Sequence, residues 1–289
     1  MINELDLAAY RENGWLVVAD VFDREELDRA RGAIAEKVSE ASGITAHTDV
    51  YDLEPDHRPN APRVRRIKTP HKHMPYFMDL ARSPKLVAIL QRLLRTEAVR
   101  LHGSKINMKS PAGGAPVEWH QDWAFYPHTN DDGLAVGVML EDCTVENGGM
   151  LMVSGSHDGP VFDHHSDGYF AGAMNPADVD VSRAAPCIGR AGSVSFHHVR
   201  TVHGSAENVS DKPRTLVLYE YAAADAWPLM GVKDLADFDA RLVSGSPTYV
   251  PRMAEVPVRM PLPPSPKQGS IYENQLTAKN RYFGRKTAA

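Results

Sequence analysis

The segment EWHQDWAFYPHTNDDG, residues 118 to 133, places His120 two positions before Asp122 and surrounds both with rings and carboxylates. On an extended strand alternate side chains share a face, so this imidazole and this carboxylate would project together. Such a pair is two thirds of a 2-His-1-carboxylate facial triad, which binds Fe(II) through three side chains and leaves other positions open. The chain has 13 histidines, so an H-x-D pair also arises by chance. Simple hydrogen bonding to backbone accounts more readily for an isolated one.

A third ligand has several candidates downstream. The stretch HHVRTVHGSAENVSDKPRTLVLYEY offers His197, His198 and His203, with Arg214 lying 11 residues beyond His203 and opening a predicted strand. His102, His157, His164 and His165 are weaker candidates, and His157 reads as structural, within a Gly-Ser-His turn. Glu118, Asp131 and Asp132 read as solvated loop groups. Gln121 points to the opposite face of a regular strand. Trp123, Phe125, Tyr126 and His128 fit the wall of a small-molecule pocket and fit core packing equally well.

The elements that must position these residues are legible in part. In DREELDRARGAIAEKVSEA, Asp23 and Glu26 form a capping box, and Leu27, Ala30, Ile34 and Val38 recur at helical spacing. Before it, GWLVVADVF reads as a short strand. Ser83 and Pro84 open a second helix over SPKLVAILQRLLR. From about residue 99, short β-rich runs are punctuated by Gly, Pro, Asn and Asp, the pattern of an antiparallel sandwich or barrel. The interval from Ser156 to Pro186 is too long for a neutral connector, so an active-site lid or an insertion is expected. One domain results: a helical part over about 1–98, a β core over about 99–225 and a C-terminal extension over about 226–289. The final stretch SIYENQLTAKNRYFGRKTAA is polar and basic, a helix or a docking segment.

Composition narrows the function. A net charge of −5 argues against a general nucleic-acid binder. No apolar run approaches the ~18–20 residues that span a bilayer. No basic region followed by an apolar one opens the chain, so the expected location is the cytoplasm. Cys143 and Cys187, the two cysteines, exclude a cysteine-rich zinc site and are expected as free thiols. The run RPNAPRVRRIKTPHK carries Arg58, Arg63, Arg65, Arg66, Lys68 and Lys72 without an acid. A solvated face is its first reading, and a positive field for an anionic substrate its second.

Taken in order, WHQD, ENGGMLMVSGSH at 146–157 and GSVSFHH…VHGSAENVSDKPR at 192–214 resemble the phytanoyl-CoA dioxygenase family of Fe(II)/2-oxoglutarate-dependent oxygenases. YRENGWLVVADVF and KINMKSP read the same way, so the resemblance covers roughly residues 9 to 222. It implies a mainly β fold with flanking helices around a double-stranded β-helix, the jelly-roll or cupin-like core. It implies His120, Asp122 and His203 as iron ligands, the family's His-to-Arg interval being met only from His203. Arg214 would clamp the distal carboxylate of 2-oxoglutarate, Ser205 would donate a hydroxyl to it, and Asn107 would contact the co-substrate. His198 would then have a supporting or packing role.

The implied reaction uses O2 and 2-oxoglutarate to hydroxylate an unactivated C–H bond of a small molecule, releasing succinate and CO2. Related halogenases replace the carboxylate ligand with a small residue, whereas this chain retains Asp122. Desaturation, cyclisation and epoxidation at the same iron remain alternatives, as does a cupin-like metal enzyme without 2-oxoglutarate. A zinc hydrolase lacks its H-E-x-x-H motif here, and a non-catalytic binding protein would have lost a ligand that this chain keeps. The substrate class left open includes an anionic or partly apolar small molecule. Nothing in the chain selects an oligomeric state.

Overall fold

The computed structural model describes residues 2–111, 113–267 and 269–283. Helix α1 (Glu4–Asn13) leads into β1 (Trp15–Val18) and then α2 (Arg24–Ser39). The capping box at α2 is present: Glu26 N–H donates to Asp23 Oδ1 at 3.0 Å, and Asp23 N–H donates to Glu26 Oε2 at 2.9 Å. Two donors that a helix start leaves without partners are thereby satisfied. Next come β2 (Tyr51–Leu53), β3 (Val64–Lys68), α3 (Pro70–His73), α4 (Pro75–Ala81) and α5 (Pro84–Leu94). Pro84 opens α5 as predicted, although Ser83 makes no side-chain cap bond.

The β-rich region holds β4 (Val99–Lys109), β5 (Val117–His120), β6 (Gly133–Met139), β7 (Met150–Val153), β8 (His165–Ser166), β9 (Tyr169–Phe170), β10 (Ala184–Cys187), β11 (Val194–His198), β12 (His203–Ser205) and β13 (Arg214–Ala223). After these, α6 (Leu235–Ala240), β14 (Leu242–Ser244) and α7 (Ile271–Asn274) close the described chain. The larger sheet has the order β1-β11-β6-β13-β4-β3-β2, with β14 also on β4, and the smaller has β10-β7-β12-β5. All the pairings are antiparallel. From β4 to β7, and again from β10 to β13, the chain visits both sheets in turn, apart from the small β8–β9 hairpin. That winding makes the expected double-stranded β-helix. In the N-terminal part, β1 lies within the strand expected at GWLVVADVF, β2 and β3 are further strands, and all three extend the larger sheet.

Strand periodicity decides which side chains face the interior of the sandwich. Along β13, Val217, Tyr219 and Tyr221 join the core beneath the helices, with Phe77 and Leu80 of α4 and Leu86 and Leu90 of α5. Arg214, Leu216, Leu218 and Glu220 point the other way and line a chamber between the sheets. Two phenols tie helix to sheet: Tyr219 donates to Phe77 O and Tyr221 to Ala81 O, both at 2.8 Å. Ala81 ends α4, so its carbonyl has no donor within the helix.

The interval from Ser156 to Pro186 is a packed insertion, not a lid. None of its residues lines the chamber or the mouth of the chamber. Instead, it braces β5 from behind: Gln121 N–H donates to His164 Nε2 at 2.9 Å, and Met174 N–H donates to Trp119 O at 2.9 Å. Among the described residues no helix is long and apolar enough to cross a membrane.

Two outcomes follow from this packing. Tyr221→Phe strands the Ala81 carbonyl and should lower unfolding free energy by about 1–2 kcal/mol, read from urea denaturation. Burial pushes His128 and His164 down to about 3, whereas an unfolded histidine titrates near 6.5. Below that value the unfolded chain takes up protons that the folded chain refuses. The stabilising contribution of these two groups is therefore complete above pH 6.5 and is lost as pH falls toward 3. Denaturation midpoints should drop between pH 7 and 4, with a shallower drop in His128→Gln.

Candidate active site

His120 ends β5, and across the antiparallel β5–β12 pair it stands directly opposite His203. Residues opposite one another put their side chains on the same face, and these two rings lie 4.1 Å apart at their centroids. Gln121 keeps extended backbone, φ −115° and ψ 130°, and the chain then enters a 3-10 turn at Asp122. Asp122 thus rejoins the face of His120 as strand alternation predicts, although it sits just past the end of the strand. One ligand atom from each of His120, Asp122 and His203 lies within 4.8 Å of the others, and all three residues are buried.

Backbone carbonyls set the imidazole tautomers. The carbonyls of Glu118 and Thr201 lie 2.8 and 2.9 Å from Nδ1 of His120 and His203. A carbonyl only accepts, so each Nδ1 must carry the proton, and the Nε2 lone pairs are left for a metal. Burial pushes His120 down to about 4 and His203 well below its ordinary range. Both are neutral at pH 7. Burial alone would raise Asp122, but the His197 hydrogen bond and the neighbouring His203 outweigh it and hold the carboxyl well below its usual range. Two neutral imidazoles and a carboxylate converging in one buried corner fit Fe(II).

Of the histidine pair, His197 is the one that reaches the metal centre. His197 Nε2 is 3.3 Å from Asp122 Oδ2 and its ring lies 4.4 Å from that of His203, so it supports the carboxylate ligand. His198 falls on the other face of β11 and stacks near His157 at 5.6 Å, a packing role. His157 in turn reaches Arg11 O and ties its turn to α1.

The chamber extends from the triad to Arg214 and is lined by Asn107, Ser205, Leu216 and Met150 among others. Arg214 donates from Nη2 to Gly148 O at 2.9 Å, and its buried Nε–H has no partner among the described residues. Gly148 adopts φ +78°, and a Cβ there would come within 2.9 Å of Lys109 Cδ and of Ala206 O, so the Gly-Gly turn of ENGG is needed for this approach. Lys109 is a residue that sequence reasoning missed. Its buried ammonium donates to Ser205 Oγ at 2.8 Å and to the Ala206 carbonyl. Burial, with the Arg214 charge beside it, holds Lys109 well below its ordinary range.

Beyond Asp122 the chamber meets its mouth at Lys105, Glu220 and Ile271. Lys105 and Glu220 form an ion pair at 2.8 Å, another feature without a local sequence signal. Of the four rings expected as pocket walls, Phe125 and Tyr126 line the mouth and Trp123 and His128 do not. Trp123 is packed away with its Nε1–H on Pro257 O, and His128 turns toward Tyr126 O and the His102 ring. The two differ because the chain turns sharply at 122–124, which separates neighbours that a strand would align.

Three acidic residues differ from the solvated loop groups expected. Glu118 is buried, its carboxylate accepting the N–H groups of Tyr282 and Phe283. Asp131 pairs with Arg200 at 2.9 Å, and Asp132 with Arg252. The basic run at 58–72 is likewise partly neutralised and not simply a solvated face. Arg66 and Lys68 share the buried Asp52, at 2.9 Å each, and Arg65 pairs with Glu273. Only Arg66 and Thr69 of this run reach the mouth.

Comparison with known proteins accords with this geometry. Residues 10–216 match the family model described as Phytanoyl-CoA dioxygenase (PhyH). The chain is 38% identical over 280 residues to the "Probable alpha-ketoglutarate-dependent hypophosphite dioxygenase" of Stutzerimonas stutzeri, covering 95% of this chain and 97% of that relative. It is 28% identical over 232 residues to the ectoine dioxygenase of Bordetella bronchiseptica, covering 74% of this chain and 73% of that relative. The crystal structure of EctD from S. alaskensis with bound Fe shares the fold at TM-score 0.67 and 22% identity, over 88% of each chain. With a family model spanning most of its length and a His120–Asp122–His203 centre in place, the chain belongs to the phytanoyl-CoA dioxygenase family and is an Fe(II)- and 2-oxoglutarate-dependent dioxygenase.

Proposed function

We propose that the enzyme hydroxylates a small, polar, anionic substrate, with Arg214, Ser205 and Asn107 binding 2-oxoglutarate. The observation that carries the co-substrate assignment is one chamber with the ligand triad at one end and the buried Arg214 guanidinium at the other. Bound Fe(II) supplies O2 activation coupled to oxidative decarboxylation of 2-oxoglutarate, one oxygen atom going to succinate and one to the substrate. His120, Asp122 and His203 hold the metal, and His197 keeps the Asp122 carboxylate oriented. Arg214 offers a planar fork to the distal carboxylate, with its Nε–H, which has no partner among the described residues, as one of the donors.

Lys109 assists through Ser205. The ammonium donates to Ser205 Oγ and so occupies a lone pair, which leaves the hydroxyl hydrogen free to donate into the chamber. Asn107, on the same face of β4, lines the chamber with an amide whose NH2 group can donate to a carboxylate. Arg66 and Lys68 share a single carboxylate, Asp52, so net positive charge remains beside the mouth for an anion, and Phe125 and Tyr126 shield the reacting end from water.

Similarity to the hypophosphite relative, which runs almost the full length of both chains, supports an oxoanion in particular. There the bond oxidised would be P–H instead of C–H. The chain works as one catalytic unit in this reading, since β1 and β14, from opposite ends, pair into the same sheet. Buried, unpaired Cys143 and Cys187 support a reducing, cytoplasmic setting.

In the absence of oxygen, protein with Fe(II) and 2-oxoglutarate should develop a charge-transfer absorption that His203→Ala abolishes. Arg214→Lys should weaken 2-oxoglutarate binding at least about tenfold, because a point charge cannot replace the fork. Failure of the band to form in wild-type protein contradicts the reading. Succinate release should respond to hypophosphite or short alkylphosphonates. A response confined to uncharged, apolar compounds excludes the anionic substrate.

A further inference from the structure

Most of the basic run at 58–72 and the tail after residue 262 have no part in this chemistry. They meet over the chamber. The family model ends at residue 216, yet Ile271 and Tyr272 line the chamber alongside Arg214 and Asn107, and Ser270 and Asn274 line its mouth. Their helix, α7, has four residues, too short to persist without tertiary support.

The support comes from residues far away in sequence. Glu273 accepts the Ser270 N–H at 2.9 Å, which caps α7, and pairs with Arg65 of β3. The Arg65 guanidinium also lies 4.4 Å from the centroid of the Tyr272 ring, a cation–π contact. Gln275 then fastens the segment to the iron-ligand strand: its Oε1 accepts Glu118 N–H at 2.9 Å and its Nε2 donates to Gly172 O at 2.8 Å. Further on, the Glu118 carboxylate holds the Tyr282 and Phe283 N–H groups, and Trp119 meets both of their rings. A cleft lined by Arg65, Pro116, Tyr272, Gln275 and Lys279 runs beneath this strap.

We propose that Tyr272 is a 2-oxoglutarate-binding residue, held over the Arg214 end of the chamber by the Arg65–Glu273 pair. The inference rests on the chamber being the 2-oxoglutarate site. An ion pair between Arg214 and a carboxylate weakens sharply where water enters and the local dielectric rises. Tyr272 keeps that end dry, and Arg65 and Glu273 position it without touching the co-substrate. Contact between Tyr272 and bound 2-oxoglutarate steadies the strap, which carries Lys279 and Arg281.

Anaerobic calorimetric titration of the Fe(II)-loaded full-length protein with 2-oxoglutarate tests this, with limited trypsin digestion at Lys279 and Arg281 as a second reading. Tyr272→Ala and Glu273→Gln should each raise Kd about tenfold, and Tyr272→Phe, which keeps the ring under Arg65, should stay within about threefold. The co-substrate should slow tryptic cleavage in wild type and lose that protection in Tyr272→Ala and Glu273→Gln. Circular dichroism spectra matching wild type separate loss of the strap from loss of the fold. If Kd and protection are unchanged in both variants while Arg214→Ala has lost binding, the strap is overturned and the chamber stands. If Arg214→Ala binds normally, the reading of the chamber falls and takes the strap with it.

Discussion

The register of β5 against β12 is the constraint on which the site depends. His120 faces His203 across that pair, and a shift of one residue would turn one imidazole to the opposite side of the sheet. The neighbours of these strands hold the register. β12 is also paired with β7, placing His203 beside Met152, and the insertion at 156–186 bonds to the backbone of Trp119 and Gln121 from behind. Gln121, pointing away from the chamber, spends its side chain entirely on that insertion and on Arg200 O. A residue that contributes nothing to the metal thus helps to keep both ligands beside it in place.

Burial makes this arrangement costly in the absence of ligands. Asp122, Lys109 and Arg214 are all withdrawn from water between two sheets. A buried charge is tolerated only with partners. Asp122 has His197 and would have the metal, while Arg214 and Lys109 stand close together with carbonyls and a hydroxyl as their acceptors. The chamber is therefore negative at one end and positive at the other. In the proposed reading, a dianion that chelates a cation through one end and meets Arg214 with the other would satisfy both, and 2-oxoglutarate has that form.

The C-terminal segment adds residues to the chamber wall from outside the matched family region. Arg65 lies 208 positions from Glu273, so their pairing ties β3 to the tail across nearly the whole length of the chain. Glu118 belongs to the same arrangement: beside a ligand strand, its carboxylate serves backbone N–H groups of the tail. Co-substrate chemistry and the placement of the tail thereby share one strand.

The sequence by itself determined the components whose meaning is local. The capping box at Asp23 and Glu26, the proline at the start of α5 and the β-rich runs that form β4 and β13 could be read because such signals span only a few residues. The H-x-D pair and the His203-to-Arg214 interval were legible for the same reason, helped by motifs that a family resemblance could match. Only the tertiary structure decided which face of each strand was interior. That choice made His197, not His198, the neighbour of Asp122, and brought Lys109 to Ser205 from 96 residues away. It also turned Trp123 and His128 from the pocket while leaving Phe125 and Tyr126 at its mouth. Periodicity states that side chains alternate, but pairing between distant strands and burial against a second layer decide what they touch.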